Sequence, residues 1–135
     1  MNPSEMILIA GPYRSGTGDD PDKMAANLQR LEQVALQIYA RGHLPVIGEW
    51  LAVPLARQAG SRQVGDSTWE AYGYPTADRL LEFCTAVLRI EGESRGAEGD
   101  LEVARRRGLK VYFNIDDIPM GTPQPGRFAR GVRTP

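Results

Sequence analysis

At 135 residues the chain is sized for one domain with one sizeable core. Hydrophobic residues at 41% and charged residues at 24% fit a globular protein and not a disordered one, and a net charge of -1 gives no bulk electrostatic pull toward nucleic acid or an anionic membrane. One cysteine and one histidine exclude an internal disulfide and most His/Cys metal chemistry, and no apolar run approaches the roughly 18 residues of a membrane span.

Met1–Glu5 carries no basic residue ahead of the first apolar run, which is not the pattern of a secretory leader, and a cytoplasmic location is expected. Met6-Ile7-Leu8-Ile9-Ala10 is apolar without alternation, the signature of a strand buried on both faces. Gly11-Pro12 ends it, and a loop with three glycines, Arg14 and two aspartates runs to Asp20. Asp20-Pro21 reads as an N-cap followed by proline at the first helical position. Met24, Leu28, Leu31, Ala35 and Ile38 then mark one face of a helix, closed by Arg41-Gly42. Leu44–Ile47 is a second strand, and Pro45 assigns it to a sheet edge or a strand start. Glu49–Arg57 is a short helix with an interruption expected at Pro54. Ala59–Gly73 reads as a polar loop carrying Trp69, and Pro75-Thr76 as the start of a helix with Leu80, Leu81 and Cys84 inward. Ala86–Ile90 is a third strand, Arg95–Arg107 a helix, and Leu109–Asn114 a fourth strand. Residues 1–118 are therefore expected to form the domain. Residues 119–135, rich in Pro, Gly and Arg, are expected to be a tail or an arm on a neighbouring subunit.

Strands alternating with helices predict an α/β fold, a three-layer sandwich around a short parallel sheet. Ligands in such folds bind outside the carboxyl ends of the strands, where strand order reverses. Two loops leave such ends and lead into helices: Gly11–Asp20 and Glu91–Gly96.

In the first loop, Gly11 lets backbone pass close to a ligand, Arg14 offers a planar fork for phosphate or carboxylate, and Tyr13 can stack on a base or sugar. The loop matches neither the P-loop nor the dinucleotide-binding fingerprint, and a plain glycine-rich surface turn is the competing reading. In the second loop, Ser94 is an N-cap, and Gly96-Ala97 leaves the helix N-terminus open to an anion. Glu98, Asp100 and Glu102 compete for the role of a carboxylate beside a bound sugar. At about 100° per residue, Asp100 lies nearest the Ala97/Ala104 side. The competing reading is that these acids only favour the helix dipole.

Three stretches in order, "ILIAGPYRSG", "RGHLPVIGEW" and "CTAVLRIEGESRGAEGDLEVARRRGLKVYF", resemble the nucleoside 2-deoxyribosyltransferase-like superfamily, in its small single-domain branch related to 2'-deoxynucleoside 5'-phosphate N-hydrolases. The resemblance spans roughly residues 6 to 118. It implies a flavodoxin-like fold and cleavage or transfer of the N-glycosidic bond of a nucleoside or nucleotide, with no metal and no cofactor. It implies substrate contacts from Gly11, Pro12, Tyr13 and Arg14, and from Ser94 and Gly96. The family pattern S-x-G-x-x-x-E places its nucleophilic glutamate at Asp100, one methylene shorter. The family also often carries an aspartate after the cysteine, where Thr85 stands here. A homo-oligomer that completes its site from a neighbour is a further implication, with the Trp69 loop and the tail as candidate intersubunit elements. The chemistry itself requires a carboxylate, because breaking a glycosidic bond builds positive charge on the sugar. A second acid for the leaving base is open among Asp78, Glu49 and Asp66. Glu49, just past a strand end, is also a candidate substrate contact. The alternative function is a nucleotide-binding or regulatory module on the same fold without catalysis.

His43 lies in a helix-to-strand turn and Cys84 on an apolar face, so both read as structural. Trp50 and Trp69 suit a base, a core or an interface equally. Arg105–Arg107 reads as a solvated last helical turn.

Overall fold

The computed structural model describes residues 2–124. A two-residue strand β1 (Asn2–Pro3) precedes the central strand β2 (Met6–Ala10). Helix α1 (Pro21–Ala40) follows, then strand β3 (Leu44–Val46), helices α2 (Glu49–Gln58) and α3 (Ser67–Leu81), and strand β4 (Ala86–Arg89). Helix α4 (Arg95–Arg106) leads into strand β5 (Lys110–Tyr112), a single 3-10 turn (Ile115–Asp117) and strand β6 (Gly121–Thr122). The main sheet is parallel with order β3-β2-β4-β5, the flavodoxin-like order. The expected α/β three-layer sandwich is what forms.

The unbroken apolar run of β2 is explained by its two neighbouring layers. Ile7 and Ile9 pack with Leu31, Ala35 and Ile38 of α1, while Leu8 and Ala10 pack with Leu80, Leu81, Ala97 and Ala104 of α3 and α4. Each such fully buried leucine or isoleucine contributes about 1.5–3 kcal/mol. Asp20 caps α1 by accepting from the Asp22 backbone N–H at 2.9 Å, with Pro21 in the first turn. Pro45 sits on edge strand β3, where its missing N–H costs no ladder bond. From β3 the chain crosses over β2 to reach β4. The strand order therefore reverses at the β2/β4 pair, whose register aligns Ala10 with Arg89.

The opposite end of the sheet is closed by polar ties. Glu5, 6% exposed, accepts from the Thr85 hydroxyl at 3.0 Å and pairs with Lys110 at 3.1 Å. His43, 2% exposed, accepts the Glu5 backbone N–H on Nδ1 at 3.0 Å. Its Nε2 must then carry the proton, and it donates to the Pro119 carbonyl at 2.6 Å. The Gly121 N–H bonds the Arg41 carbonyl at 2.7 Å, and β6 pairs in parallel with β1. Gly42 has φ +90, and a Cβ there would overlap the Gly121 carbonyl oxygen. His43 and Thr85 are thus structural and remote from the carboxyl ends of the strands.

Four sequence expectations change. Helix α2 runs through Pro54, although that residue offers no N–H to the Trp50 carbonyl. Helix α3 starts at Ser67 and not at Pro75, so the Ala59–Gly73 stretch is only partly loop and Trp69 is helical and buried. Asp66 makes that start: its carboxylate accepts from the Trp69 N–H at 2.7 Å, the Ser61 hydroxyl at 2.8 Å and the Arg62 N–H at 2.9 Å. Cys84 follows α3, in the turn before β4, and is buried as expected. The boundary expected at 118 falls inside an ordered strap, since Ile118 is buried and β6 lies beyond it. The remainder of the expected tail, 125–135, lies outside the described residues. Among those described, no helix is long and apolar enough to cross a membrane.

Candidate functional site

A cavity of about 300 Å³ opens at the carboxyl ends of β2 and β4, at the point of strand reversal. That is the small end of the range for small-molecule sites. Seven of the eight sequence-named positions line it: Gly11, Tyr13, Arg14, Glu49, Ser94, Gly96 and Asp100. Pro12 does not. It packs on the Gly92 turn, where a Cβ on Gly92, at φ +121, would meet Pro12 Cγ at 2.6 Å. Pro12 thus braces the two loops together. Gly11 is dictated by close packing, because a Cβ there would come within 2.9 Å of Leu31 Cδ2 and 3.1 Å of Ile90 Cβ.

Arg14 is present but engaged. Its Nε and Nη2 hold both Asp19 oxygens, at 2.6 and 3.2 Å, and Glu70 lies 3.8 Å from Nη1. A two-point pair of this kind matches the geometry by which Arg would grip a phosphate. A phosphate gripped by that same Nε/Nη2 edge displaces Asp19. Asp19 is the one non-glycine residue with positive φ (+61) among the described residues. Its backbone N–H is held by the Thr17 hydroxyl at 3.2 Å.

The second loop is built around Arg89, whose side chain is 10% exposed. Arg89 donates to the carbonyls of Ile90 and Gly92 and to Glu98, the last at 2.9 Å. These bonds fix the turn against the start of α4. Ser94, 7% exposed, caps that helix by accepting the Ala97 N–H at 3.1 Å. The N–H groups of Arg95 and Gly96 have no acceptor within the helix and stand beside the cavity.

Three carboxyl groups line the cavity: Asp19, which is paired with Arg14, and Glu49 and Asp100, both raised by burial. Burial raises Glu49, while a bond from its own backbone N–H pulls it back. Asp100 is pushed up to about 7, first by burial, then by the charges of Glu49 and Asp78, against the opposing pull of Arg89. Both carboxyl groups are therefore held above the ordinary carboxylate range, and the charge of Glu49 adds to the rise at Asp100. Of the other candidates for a second acid, Asp66 is committed to capping α3 and lies at about 2. Asp78 is not part of the cavity lining. Tyr13 is raised by burial and by Glu49, with Arg57 opposing.

Sequence reasoning missed Tyr74 on the cavity's aromatic side and left Trp69 open among base, core and interface. Trp69 and Tyr74 line it with Gly73 between them. Their rings meet edge to face, centroids 6.1 Å apart at 75°. The available signal was Asp66-Ser67-Thr68, a helix start, masked by Gly73 and Pro75 downstream. Trp50 is elsewhere: its indole donates to Glu32 on α1 at 2.8 Å. Among the described residues no cluster of three or more His, Cys, Asp or Glu side chains gathers for a metal.

Fold and site together define a class: a flavodoxin-like α/β protein with a carboxyl-bearing, partly aromatic cavity at its switch point. Comparison with protein families, with curated proteins and with solved structures finds no match for this chain.

Proposed function

We propose that the protein cleaves or transfers the N-glycosidic bond of a nucleoside or its 5'-monophosphate. The observation that carries this reading is the pair of buried carboxyl groups, Asp100 and Glu49, on one cavity at the switch point. When the C1'–N bond breaks, its electron pair leaves with the base and positive charge develops on the sugar. A carboxyl group that keeps its proton near neutral pH suits protonation of the departing base. An ionised carboxylate suits the developing charge. The sequence reading gave Asp100 the second role; with its carboxyl pushed up to about 7, Asp100 suits the first, which leaves Glu49 for the second. Water then adds to C1' and returns a proton to Asp100, completing hydrolysis. A second base in place of water completes transfer.

The sugar's 5' side falls to the start of α4, where the N–H groups of Arg95 and Gly96 favour an anion. Arg14 joins them with its full two-point grip by exchanging Asp19 for phosphate. The test is free-base release from a panel of ribo- and deoxyribonucleosides and their 5'-monophosphates, with Asp100→Asn and Glu49→Gln as controls. Release by the wild type, reduced about 100-fold or more in each variant, is expected. Activity should fall as pH rises through about 7, where Asp100 loses its proton. Thermal stabilisation by a nucleotide without release would replace catalysis with binding. Neither release nor stabilisation would refute the reading.

A further inference from the structure

The loop that carries Arg14 is built to keep its guanidinium occupied. Thr17, 4% exposed, is the hub. Its hydroxyl donates to the Arg14 carbonyl and accepts the Asp19 backbone N–H at 3.2 Å, while its own backbone N–H also bonds the Arg14 carbonyl at 3.2 Å. The next residue, Asp20, donates its N–H to the Thr17 carbonyl at 3.1 Å and caps α1. These bonds hold Asp19 at φ +61, a left-handed backbone that residues with a side chain rarely adopt. What that disfavoured conformation achieves is the two-point clasp, in which both Asp19 oxygens take the Nε/Nη2 edge of Arg14. A residue held in an unfavourable backbone to make one contact points to a use for that contact.

The surroundings add to the clasp. Glu70 on α3 stands 3.8 Å from Nη1. Gly65, at φ +98, lies against the guanidinium, which a Cβ at that position would overlap. Arg14 thus meets two carboxylates. The cavity as a whole is lined by two arginines, Arg14 and Arg95, against three acids, Asp19, Glu49 and Asp100. A phosphate monoester carries about -1.5 to -2 charge near pH 7. Bound at the clasped edge of Arg14, it brings that charge into a lining rich in carboxyl groups and leaves Asp19 without its partner. A neutral ligand demands neither change.

We infer that Asp19 is an internal counter-anion, standing where a substrate phosphate would otherwise stand, and that the cavity therefore takes the unphosphorylated nucleoside in preference to its 5'-monophosphate. The identity of the ligand as a nucleoside rests on the proposed glycosidic chemistry; the filling of the Arg14 edge by Asp19 does not. Asp19 is then a specificity-determining residue, and an uncharged 5'-hydroxyl takes the place beside the start of α4.

Calorimetry with 2'-deoxyadenosine, 2'-deoxyguanosine, 2'-deoxycytidine, thymidine and their 5'-monophosphates tests the preference. Thermal unfolding with inorganic phosphate tests the clasp without any nucleoside. The wild type should bind a nucleoside at least as tightly as its monophosphate and gain no stability from phosphate. Asp19→Asn tolerates the left-handed backbone. It should shift the preference several-fold toward the monophosphate, the upper end for a partly exposed pair, and should be stabilised by phosphate. Arg14→Gln in the Asp19→Asn background should erase both gains, which separates the release of Arg14 from the mere loss of a negative charge. Thr17→Val, which loses the hub hydroxyl, should move the preference in the same direction, and Thr17→Ser, which keeps it, should not. Tighter binding of the monophosphate by the wild type, or an equal response of wild type and Asp19→Asn to phosphate, would overturn the inference. The expected phosphate effects without base release from any nucleoside would leave Asp19 as the counter-anion and refute the glycosidic chemistry, so the two failures are distinct.

Discussion

Replacing Asp100 with asparagine should stabilise the protein in alkaline solution while abolishing the proposed glycosidic activity. An ordinary aspartate carboxyl titrates at 3.8 and Asp100 at about 7. Between those values the native state holds a proton that the unfolded chain has released, so stability falls as pH rises from about 4 to about 7 and is flat above. At about 1.4 kcal/mol per pH unit, the native state loses roughly 4 kcal/mol by pH 8. Asp100 is part-exposed, and water screens some of that cost, which brings the working range to about 2–4 kcal/mol. Asparagine has nearly the same shape and never ionises. Urea unfolding of wild type and Asp100→Asn at about pH 4 and pH 8.5 measures the difference. Near-equal stability at the lower pH and a variant more stable by about 2–4 kcal/mol at the higher are expected. Parallel pH curves for the two proteins would refute the claim that the fold holds a proton on Asp100.

Three further outcomes follow from named contacts. Asp19→Asn should release Arg14 and tighten binding of nucleoside 5'-monophosphates several-fold over nucleosides in calorimetry, since asparagine accepts the positive φ at that position; an unchanged ratio would mean that Arg14 does not meet phosphate. Gly42→Ala should cost at least about 2 kcal/mol in urea unfolding, because its left-handed backbone and its contact with the Gly121 carbonyl both resist a Cβ. Gly108→Ala, at φ +73 with open space around it, should cost only about 1 kcal/mol, and equal losses would deny the strap its role. Cys84, buried and pushed up to about 11 by burial, should resist thiol reagents at neutral pH until urea unfolds the chain.

The buried carboxyl groups of the cavity and the Trp69 indole N–H, unpartnered among the described residues, carry the same kind of cost. Burial of two carboxyl groups and of an unpartnered N–H is unfavourable to stability, and it is concentrated at one end of the sheet. The other end satisfies its buried polar groups: Glu5 with Thr85 and Lys110, His43 with Glu5 and Pro119. Native proteins accept such local costs at sites that meet a ligand.

Much of the architecture was legible because it is written in local patterns. An apolar run without alternation marked β2, a 3.6-residue periodicity marked α1, and Asp20-Pro21 and Ser94 marked helix starts. Strands alternating with helices then required a parallel sheet, and a parallel sheet locates its cavity at the carboxyl ends of the strands. That sufficed to bring Gly11, Tyr13, Arg14, Glu49, Ser94, Gly96 and Asp100 into view. Where local signals conflicted, the reading failed. Gly73 and Pro75 argue against a helix that Asp66 and tertiary packing nonetheless form, so the sequence alone reads Trp69 as loop. Partnerships across the chain were not readable at all. Asp19 on Arg14, Pro12 on Gly92, Glu49 acting on Asp100, and His43 clasping Pro119 all depend on which side chains the fold brings within a few ångströms. Periodicity and capping are properties of neighbours in sequence, whereas the charge on a carboxyl group and the availability of an arginine are set by neighbours in space.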